Sequence, residues 1–280
     1  GVNGTKKLES LLGTMEMQNL NLLIGGVSDE QIKVMSDFSK AHNIKYVIPF
    51  SSKNNEVLNN GNIFQVNTPQ SNSYTKASAV FVDLFKNANI IIVNASKNDK
   101  SEFISVLQSD MKKQNVQSKP IRLSNDMQSA LLPLLVSQKE NVIIPSSGDS
   151  ETLRDVLAAL KKIKNEHSDY TLRLFGYPEW QTYAESMQKD YHLFDTYMYT
   201  SFYVDESDSE TKSFQENFKK WYNRDLMHTY PKYGMLGYDT GLFFMSALRQ
   251  YGVNFEQNIQ RVRANSLQFA FHFERVNNWG

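Results

Sequence analysis

The sequence alternates many times between short apolar runs and longer amphipathic stretches, and this alternation constrains the fold more than any other feature. The runs are too short for buried helices, and several are rich in Val and Ile, which favours strands. The runs are Leu20–Ile24, Tyr46–Phe50, Ile63–Val66, Ile90–Val93, Ile121–Leu123, Val142–Ile144 and Leu172–Phe175. Stretches with helical spacing lie at about 28–42, 71–87, 99–114, 125–139 and 149–166. This order predicts an α/β fold with mainly parallel sheets, whose continuously apolar strands need helices on both faces.

The pattern changes after about residue 195. The aromatic and β-branched segment Tyr197–Val204 is predicted to form a long strand or a crossover, and an acidic loop, Asp205–Glu210, follows it. Helices are predicted at about 210–224 and 235–251. The first of these helices carries aromatic residues at helical spacing, which predicts core packing. They are Phe214, Phe218, Trp221 and Tyr222.

The charge balance and the absence of cysteine exclude several functions. Lys and Arg number 30, as do Asp and Glu, so the chain lacks the basic excess that binding to nucleic-acid phosphates needs. A chain with no cysteine has no disulfide, no thiolate nucleophile and no cysteine-bound zinc. No apolar run approaches the roughly 18 residues that a membrane-spanning helix needs. The first residues show no basic region followed by an apolar run, so no signal peptide is predicted within this sequence.

Polar and aromatic residues stand directly after several of the predicted strands. Open parallel sheets bind ligands beyond the carboxyl ends of their strands, so these residues are the candidates for a ligand site. The candidates are Ser28, Ser51, Ser52, Ser146, Tyr177, Glu179 and Trp180.

The polar candidates also have structural interpretations. A serine before a helix commonly caps it, and Ser28 with Gln31 has the spacing of a capping box. Glu179 could be a first-turn acid favoured by the helix dipole. The functional interpretation is that helix N-termini beside hydroxyls bind a carboxylate or other anion, and that Glu179 accepts hydrogen bonds from an ammonium group. The sequence leaves both interpretations open.

No motif indicates catalysis, a cofactor or a metal. The phosphate-binding, dinucleotide-binding, zinc-protease and serine-hydrolase patterns are all absent. The five histidines are scattered and are predicted to be structural or solvated. The acidic loop at 205–210 lacks the glycine and the spacing of a calcium loop. No catalytic residue is therefore predicted.

Five segments, in their order and spacing, resemble the branched-chain amino-acid (Leu/Ile/Val) binding proteins of ABC importers, which have the type I periplasmic-binding fold. LNLLIGGVSDEQ is similar to the strand–Gly–Ser–helix entry of that family, and HNIKYVIPFSSKNNEV to the element after it. RLFGYPEW is similar to a strand followed by a glycine and an acid. YGMLGYDTGLFFMSALRQYG is similar to the late helix, and FHFERVNNWG to the final strand and turn. The resemblance covers nearly the whole chain, although no single motif is specific.

The resemblance implies a role for each polar candidate. Ser28 would bind the ligand carboxylate from a helix N-terminus, with Ser51 and Ser52 beside it in the first lobe. Ser146 and Glu179 would come from the second lobe, and Glu179 would bind the ligand's amino group.

The chain departs from the family in the bulk of its side chains. Phe50 and Lys53 are larger than expected around the second element, and Tyr177 and Trp180 add aromatic bulk around Glu179. An ordinary leucine-sized ligand is therefore in doubt.

The resemblance also predicts the organisation of the chain. Two α/β lobes are expected, the first at 1–68 and 205–263 and the second at 69–204 and 264–280, with crossing segments near 67–70, 203–205 and 264–268. The family's first strand–helix–strand unit and its last strands have no counterpart, so the chain is expected to be a fragment truncated at both ends. Envelope proteins in which this module follows a peptidoglycan-binding LysM segment are also similar.

The predicted function is extracytoplasmic solute binding, in which a small amino-acid-like ligand (an amino acid or a short peptide) is held between the lobes without a cofactor. Expected partners are an ABC permease or peptidoglycan-associated proteins, and the expected location is the periplasm or cell envelope. The alternative is a cell-envelope interaction module that keeps the fold but binds a protein or peptidoglycan. An enzyme is a third interpretation, but no histidine lies near the candidate serines in sequence.

Overall fold

The computed structural model describes residues 4–277, which cluster into two units. The described residues up to Pro69 and from Phe202 onward form unit 1, and residues Gln70–Ser201 form unit 2. The chain therefore starts in unit 1, builds the whole of unit 2, and then returns to unit 1.

Unit 1 is built around a three-stranded parallel sheet in the order β1-β2-β3. Its first elements are α1 (Thr5–Leu12), α2 (Met15–Gln18), β1 (Leu22–Ile24), α3 (Asp29–His42), β2 (Lys45–Ile48) and β3 (Ile63–Gln65). The helix α3 begins where Ser28 accepts the Gln31 N–H, and it ends at Asn43, whose φ of 51° is left-handed. These are the N-cap and C-terminal signals that the sequence carries at both ends of this helix.

The central strand β2 faces two different apolar clusters. Tyr46 and Ile48 pack with Ile32 of α3 on one side, whereas Val47 packs with Leu236 and Phe244 on the other. All three β2 residues are fully buried, as the alternation of side chains in a strand between two covered faces requires.

Unit 2 is a five-stranded parallel sheet in the order β5-β4-β6-β7-β8. Its elements are α4 (Tyr74–Phe85), β4 (Asn89–Asn94), α5 (Ser101–Lys113), β5 (Ser118–Arg122), α6 (Met127–Leu131), β6 (Glu140–Pro145), α7 (Ser150–Glu166), β7 (Thr171–Gly176), α8 (Ala184–Leu193) and β8 (Tyr197–Met198). The helix α4 packs against α5, and α6 packs against α7. Val142, Ile143 and Ile144 of β6 are all fully buried, which means that both faces of this sheet are covered. The predicted α/β class with parallel sheets is confirmed.

The chain returns to unit 1 with two helices and a long irregular segment. They are α9 (Ser209–Tyr222), α10 (Tyr233–Tyr251), the 3-10 turns Gly252–Arg261 and an extended stretch to residue 277. Phe243 and Phe244 of α10 face the sheet cluster around Val47, and Phe271 stacks on Phe243 with ring centroids 4.3 Å apart.

Some sequence predictions differ from the structure in length. Of the segment Tyr197–Val204, which was predicted to be a long strand or a crossover, only Tyr197–Met198 pairs with a neighbouring strand. The chain passes from unit 2 to unit 1 at Phe202, within the same segment. The helix expected at 125–139 is α6 followed by a single 3-10 turn, Leu132–Leu134, which contains Pro133. A proline cannot donate a backbone hydrogen bond, so it disfavours continuation of the α-helix.

The last part of the chain corrects three further predictions. The sequence assigns residues 264–280 to the second lobe, but Ala264, Phe269 and Phe273 pack on the aromatic cluster of unit 1. The predicted final strand, FHFERVNNWG, does not form between residues 271 and 277: the backbone there pairs with no other strand, and Phe271 and Phe273 pack on unit 1. Residues 278–280 of that motif lie outside the described residues. In α9, Trp221 and Tyr222 are 71% and 59% exposed instead of lying in the core.

A glycine at the end of β7 offers a test of this packing. A Cβ on Gly176 would lie 2.0 Å from Cζ3 of the buried Trp180 ring. We therefore expect Gly176→Ala to destabilise the protein by about 1–3 kcal/mol through overpacking. Thermal melting followed by circular dichroism measures the change. In the control, Gly241→Ala in α10, the new Cβ meets nothing within 4 Å, so the melting temperature should stay level or rise. Equal melting temperatures for Gly176→Ala and the unmodified protein would contradict the packing described here.

Candidate functional site

The sheet of unit 2 contains a point where the strand order reverses. From β4 the chain crosses to β5 on one side, and it then returns to add β6 on the other side of β4. The loops that follow β4 and β6 therefore diverge at neighbouring carboxyl ends, which is where open parallel sheets bind ligands. The loop that follows β7, the next strand, lies beside them.

Backbone and side-chain hydrogen bonds join the first two loops. Ser146, which is fully buried, accepts the Ala95 N–H on Oγ at 2.9 Å and the Lys100 N–H on its carbonyl at 3.0 Å. Asp99 Oδ1 accepts the Gly148 N–H at 3.2 Å. Ser146 thus fixes the position of the loops, and its Oγ is already used as an acceptor.

A buried ion pair connects the loop after β4 with the loop after β7. Lys100 Nζ contacts Glu179 Oε1, and only 9% of the Lys100 side chain is exposed. The same ammonium lies 4.0 Å from Asp99 Oδ2, 3.4 Å from Gln70 Oε1 and 5.1 Å from the centre of the Tyr177 ring. Each of these contacts gives the ammonium a partner in place of water.

The loop after β6 makes room for this ion pair because it carries a glycine. A Cβ on Gly148 would lie 2.0 Å from Glu179 Oε1 and 2.7 Å from Lys100 Cε. All three strand-end loops therefore meet at the ion pair.

The second oxygen of Glu179 is the unusual atom of the site. Oε2 is buried and has no hydrogen-bond partner among the described residues, although the side chain as a whole is 25% exposed. A buried acceptor without a donor costs free energy, and a carboxylate oxygen costs more than a neutral one. A ligand that donates a hydrogen bond to Oε2 would recover that cost.

The two aromatic candidates support the loops from inside. Tyr177 and Trp180 are both fully buried. The Tyr177 hydroxyl donates to the Pro145 carbonyl at 2.5 Å, and Trp180 Nε1 donates to the Gly148 carbonyl at 3.1 Å. Burial raises the pKa of Tyr177 well above its ordinary value, so the hydroxyl keeps its proton. In this structure neither ring offers exposed surface, and ligand contact by these rings stays a prediction.

An aspartate in the loop after β6 starts the longest helix of unit 2. Asp149 Oδ1 accepts the N–H groups of Glu151 and Thr152, both at 2.9 Å, and Oδ2 accepts the Thr152 hydroxyl at 2.9 Å. Ser147 Oγ lies in hydrogen-bond contact with both Asp99 and Asp149. Burial by itself would raise the pKa of Asp149, but these hydrogen bonds outweigh it and lower the pKa to about 2.

The remaining candidates lie in unit 1, after the first two strands. Ser28 is exposed and caps α3, and the Gln31 side chain accepts the Val27 N–H at 3.1 Å, so the capping-box arrangement is shifted by one residue at its second bond. Ser51 and Ser52 are half-buried. Their loop is tied to the start of α3 by a hydrogen bond from Asn54 to Asp29 at 3.3 Å.

Sequence reasoning placed Ser146, Tyr177, Glu179 and Trp180 correctly at neighbouring strand ends of unit 2, but it did not identify Lys100. The signal was weak, because a lysine in a polar loop before a helix is ordinarily solvated. Asp99 was missed for the same reason. Their one distinguishing feature is that they follow β4, the strand beside the reversal point.

Comparisons with solved structures give the fold. A protein of Rhodospirillum rubrum described as a branched-chain amino-acid ABC transporter aligns over 92% of this chain and 73% of its own, with a TM-score of 0.57 and 11% identity. The chain has the type I periplasmic-binding fold. A periplasmic ligand-binding protein of a Burkholderia xenovorans branched-chain amino-acid transporter aligns over 92% and 68%, at 0.52 and 12%. A substrate-binding protein of Desulfitobacterium hafniense aligns over 92% and 74%, at 0.51 and 12%.

Two further comparisons found no match for the chain. No protein-family model matches the chain, and no curated protein matches it. Within residues 4–277, no helix combines the length and the apolar character needed to cross a membrane. Nor do three or more histidine or acidic side chains of that range come together as metal ligands would.

The depressed pKa of Asp149 predicts how stability depends on pH. The folded-state pKa of about 2 lies below the usual 3.8, so the carboxylate stabilises the fold above pH 3.8, and this contribution is lost as the pH falls towards 2. Its upper limit is roughly 2–3 kcal/mol. Urea unfolding at pH 6 and pH 2.5 should show a smaller pH effect in Asp149→Ala than in the unmodified protein. Asp155→Ala, at an exposed position of the same helix, is the control and should keep the full effect. An undiminished pH effect in Asp149→Ala would contradict the assignment.

Proposed function

We propose that this chain is a solute-binding module that holds a small amino-acid-like ligand at the strand ends of unit 2. The buried acceptor Oε2 of Glu179, which lacks a donor among the described residues, carries the proposal. The ligand's nitrogen would donate to this oxygen and remove the cost of leaving it unpaired.

The surroundings of Glu179 support a small polar ligand. The strand-end loops present carboxylates and hydroxyls around one lysine, and hydrogen bonds between the loops hold them in place. A site whose side chains are already oriented loses little conformational entropy when it binds. The carboxylate-binding roles predicted for Ser28, Ser51 and Ser52 stay predictions.

The solved structures with this fold indicate a cellular setting. They are described as substrate-binding or ligand-binding proteins of ABC transporters. By analogy, we propose that this chain acts outside the cytoplasm, in the periplasm or cell envelope, with an ABC permease as its partner and without catalysis of its own.

The role of Glu179 can be tested by an isosteric substitution. In Glu179→Gln the amide oxygen faces Lys100, so the NH₂ group takes the place of Oε2 and opposes the ligand's donor. We expect binding to weaken at least about tenfold, or ~1.4 kcal/mol. Isothermal titration calorimetry with amino acids, N-acetylated amino acids and short peptides measures this change. Glu102→Gln removes the same charge from an exposed position of α5 and should bind as the unmodified protein does.

Either of two results would contradict this proposal. One is an unchanged dissociation constant in Glu179→Gln, provided that circular dichroism shows the variant to be folded. The other is the absence of binding by the unmodified protein to every member of the three ligand panels.

A groove in unit 1 favours a second function, that of an envelope module that binds glycan. The groove has a volume of about 780 Å³ and lies between α9, α10 and the segment at 263–267. Trp221, Phe214 and Tyr238 provide aromatic faces, and Trp221 is 71% exposed. Sugar rings pack their apolar faces on such rings, and their hydroxyls need polar partners. The groove supplies those partners from Glu210, Ser213, Asn217, Ser246, Arg263 and Asn265.

The glycan function predicts an effect at Trp221 alone. Trp221→Ala should weaken binding of soluble peptidoglycan fragments at least roughly fivefold, because it removes an aromatic face of the groove. Tyr222→Ala is the matched control, because Tyr222 is 59% exposed but does not line the groove. Binding that is equal in both variants, or not detectable in the unmodified protein, would eliminate this function.

A further inference from the structure

Lys100 changes what the proposed ligand site can recognise. Its ammonium contacts Oε1 of Glu179 and is itself almost completely buried. Glu179 therefore keeps one acceptor, Oε2, instead of the two that an unpaired carboxylate would offer.

The ion pair is also neutral as a unit. A second cation on Oε2 would share one carboxylate with Lys100, so the attraction to Glu179 would be offset by repulsion from a buried ammonium close by. The same carboxylate cannot fully compensate two cations where the first of them, Lys100, is already buried against it.

The neighbouring acids add negative charge to the site, but their oxygens are already bonded to groups of the protein itself. Asp149 accepts two backbone N–H groups at the start of α7, where the helix dipole compensates its charge. Asp99 accepts the Gly148 N–H and lies 4.0 Å from the Lys100 ammonium. Oxygens of both carboxylates therefore have partners within the protein, whereas Oε2 of Glu179 has none among the described residues.

A neutral donor faces no such repulsion. An amide N–H satisfies one acceptor with one hydrogen bond and brings no charge towards Lys100. On the basis of the proposed function, we propose that the ligand presents a neutral amide N–H, as in an N-acylated amino acid or an internal peptide bond. Lys100 is then the specificity-determining residue that disfavours the free ammonium of an amino acid.

Matched ligand pairs test this inference. The probes are the free L-amino acids and their N-acetyl derivatives, titrated by calorimetry into the full chain. For the amino acid that binds best in either form, the unmodified protein should bind the N-acetyl member at least tenfold more tightly. In Lys100→Met, Glu179 has no internal cation, so the preference should shift at least tenfold towards the free amino acid.

A second variant covers the case in which Lys100→Met does not fold, since an unpaired buried carboxylate is strongly destabilising. Lys100→Gln keeps an N–H donor for Oε1 but carries no charge, and it should shift the preference in the same direction. Lys97→Met, at an exposed position in the same loop, is the control and should keep the unmodified preference.

The outcomes separate this inference from the proposed function. Tighter binding of free amino acids by the unmodified protein, or a preference that neither Lys100 variant changes, overturns the role of Lys100 while solute binding stands. Failure of the unmodified protein and of the Lys100 variants to bind either panel overturns solute binding, and the inference with it.

Discussion

The buried ion pair between Lys100 and Glu179 is the interaction on which the strand-end region of unit 2 depends. It joins the loop after β4 to the loop after β7, and it explains why the loop between them carries a glycine at 148. A buried ion pair often contributes little net stability, because both charges lose their water. Its effect here is on position, because Lys100 binds Oε1 of Glu179 and leaves Oε2 without a donor.

Much of this arrangement could be predicted from the sequence. The apolar runs became strands because β-branched residues fit a sheet that is covered on both faces. Parallel strands present their carboxyl ends at one edge, so residues directly after β6 and β7 had to be neighbours. For this reason the amino-acid sequence is enough to place Ser146 and Glu179 together. It is not enough to place Lys100, because nothing in a local sequence shows that a loop lysine turns inward to meet a carboxylate distant in the chain.

The side-chain roles at the site were harder to predict than their positions. Tyr177 and Trp180 stand beside Glu179 in sequence, which suggested rings that line a ligand site. In the structure their polar atoms bond to backbone carbonyls of Pro145 and Gly148. These carbonyls belong to the end of β6 and to the loop after it, and only the pairing of β6 with β7 brings them beside the two rings.

The late part of the chain shows the limit of periodicity as a signal. A final strand was expected from the resemblance of FHFERVNNWG to the family, and the alternating phenylalanines at 269, 271 and 273 do place aromatic rings on the core of unit 1. A period of two shows which side chains face inward, but it does not supply a partner for the backbone. The helical spacing in α9 likewise indicated an apolar face, although Trp221 remains mostly exposed on it.

A crystal structure of the full chain with its tightest-binding ligand would test the central claim most directly. The account predicts a ligand nitrogen about 3 Å from Glu179 Oε2, with Lys100 still in contact with Oε1. Ligand density away from Glu179, or a Lys100 side chain that has left the carboxylate to make room for a ligand ammonium, would contradict it.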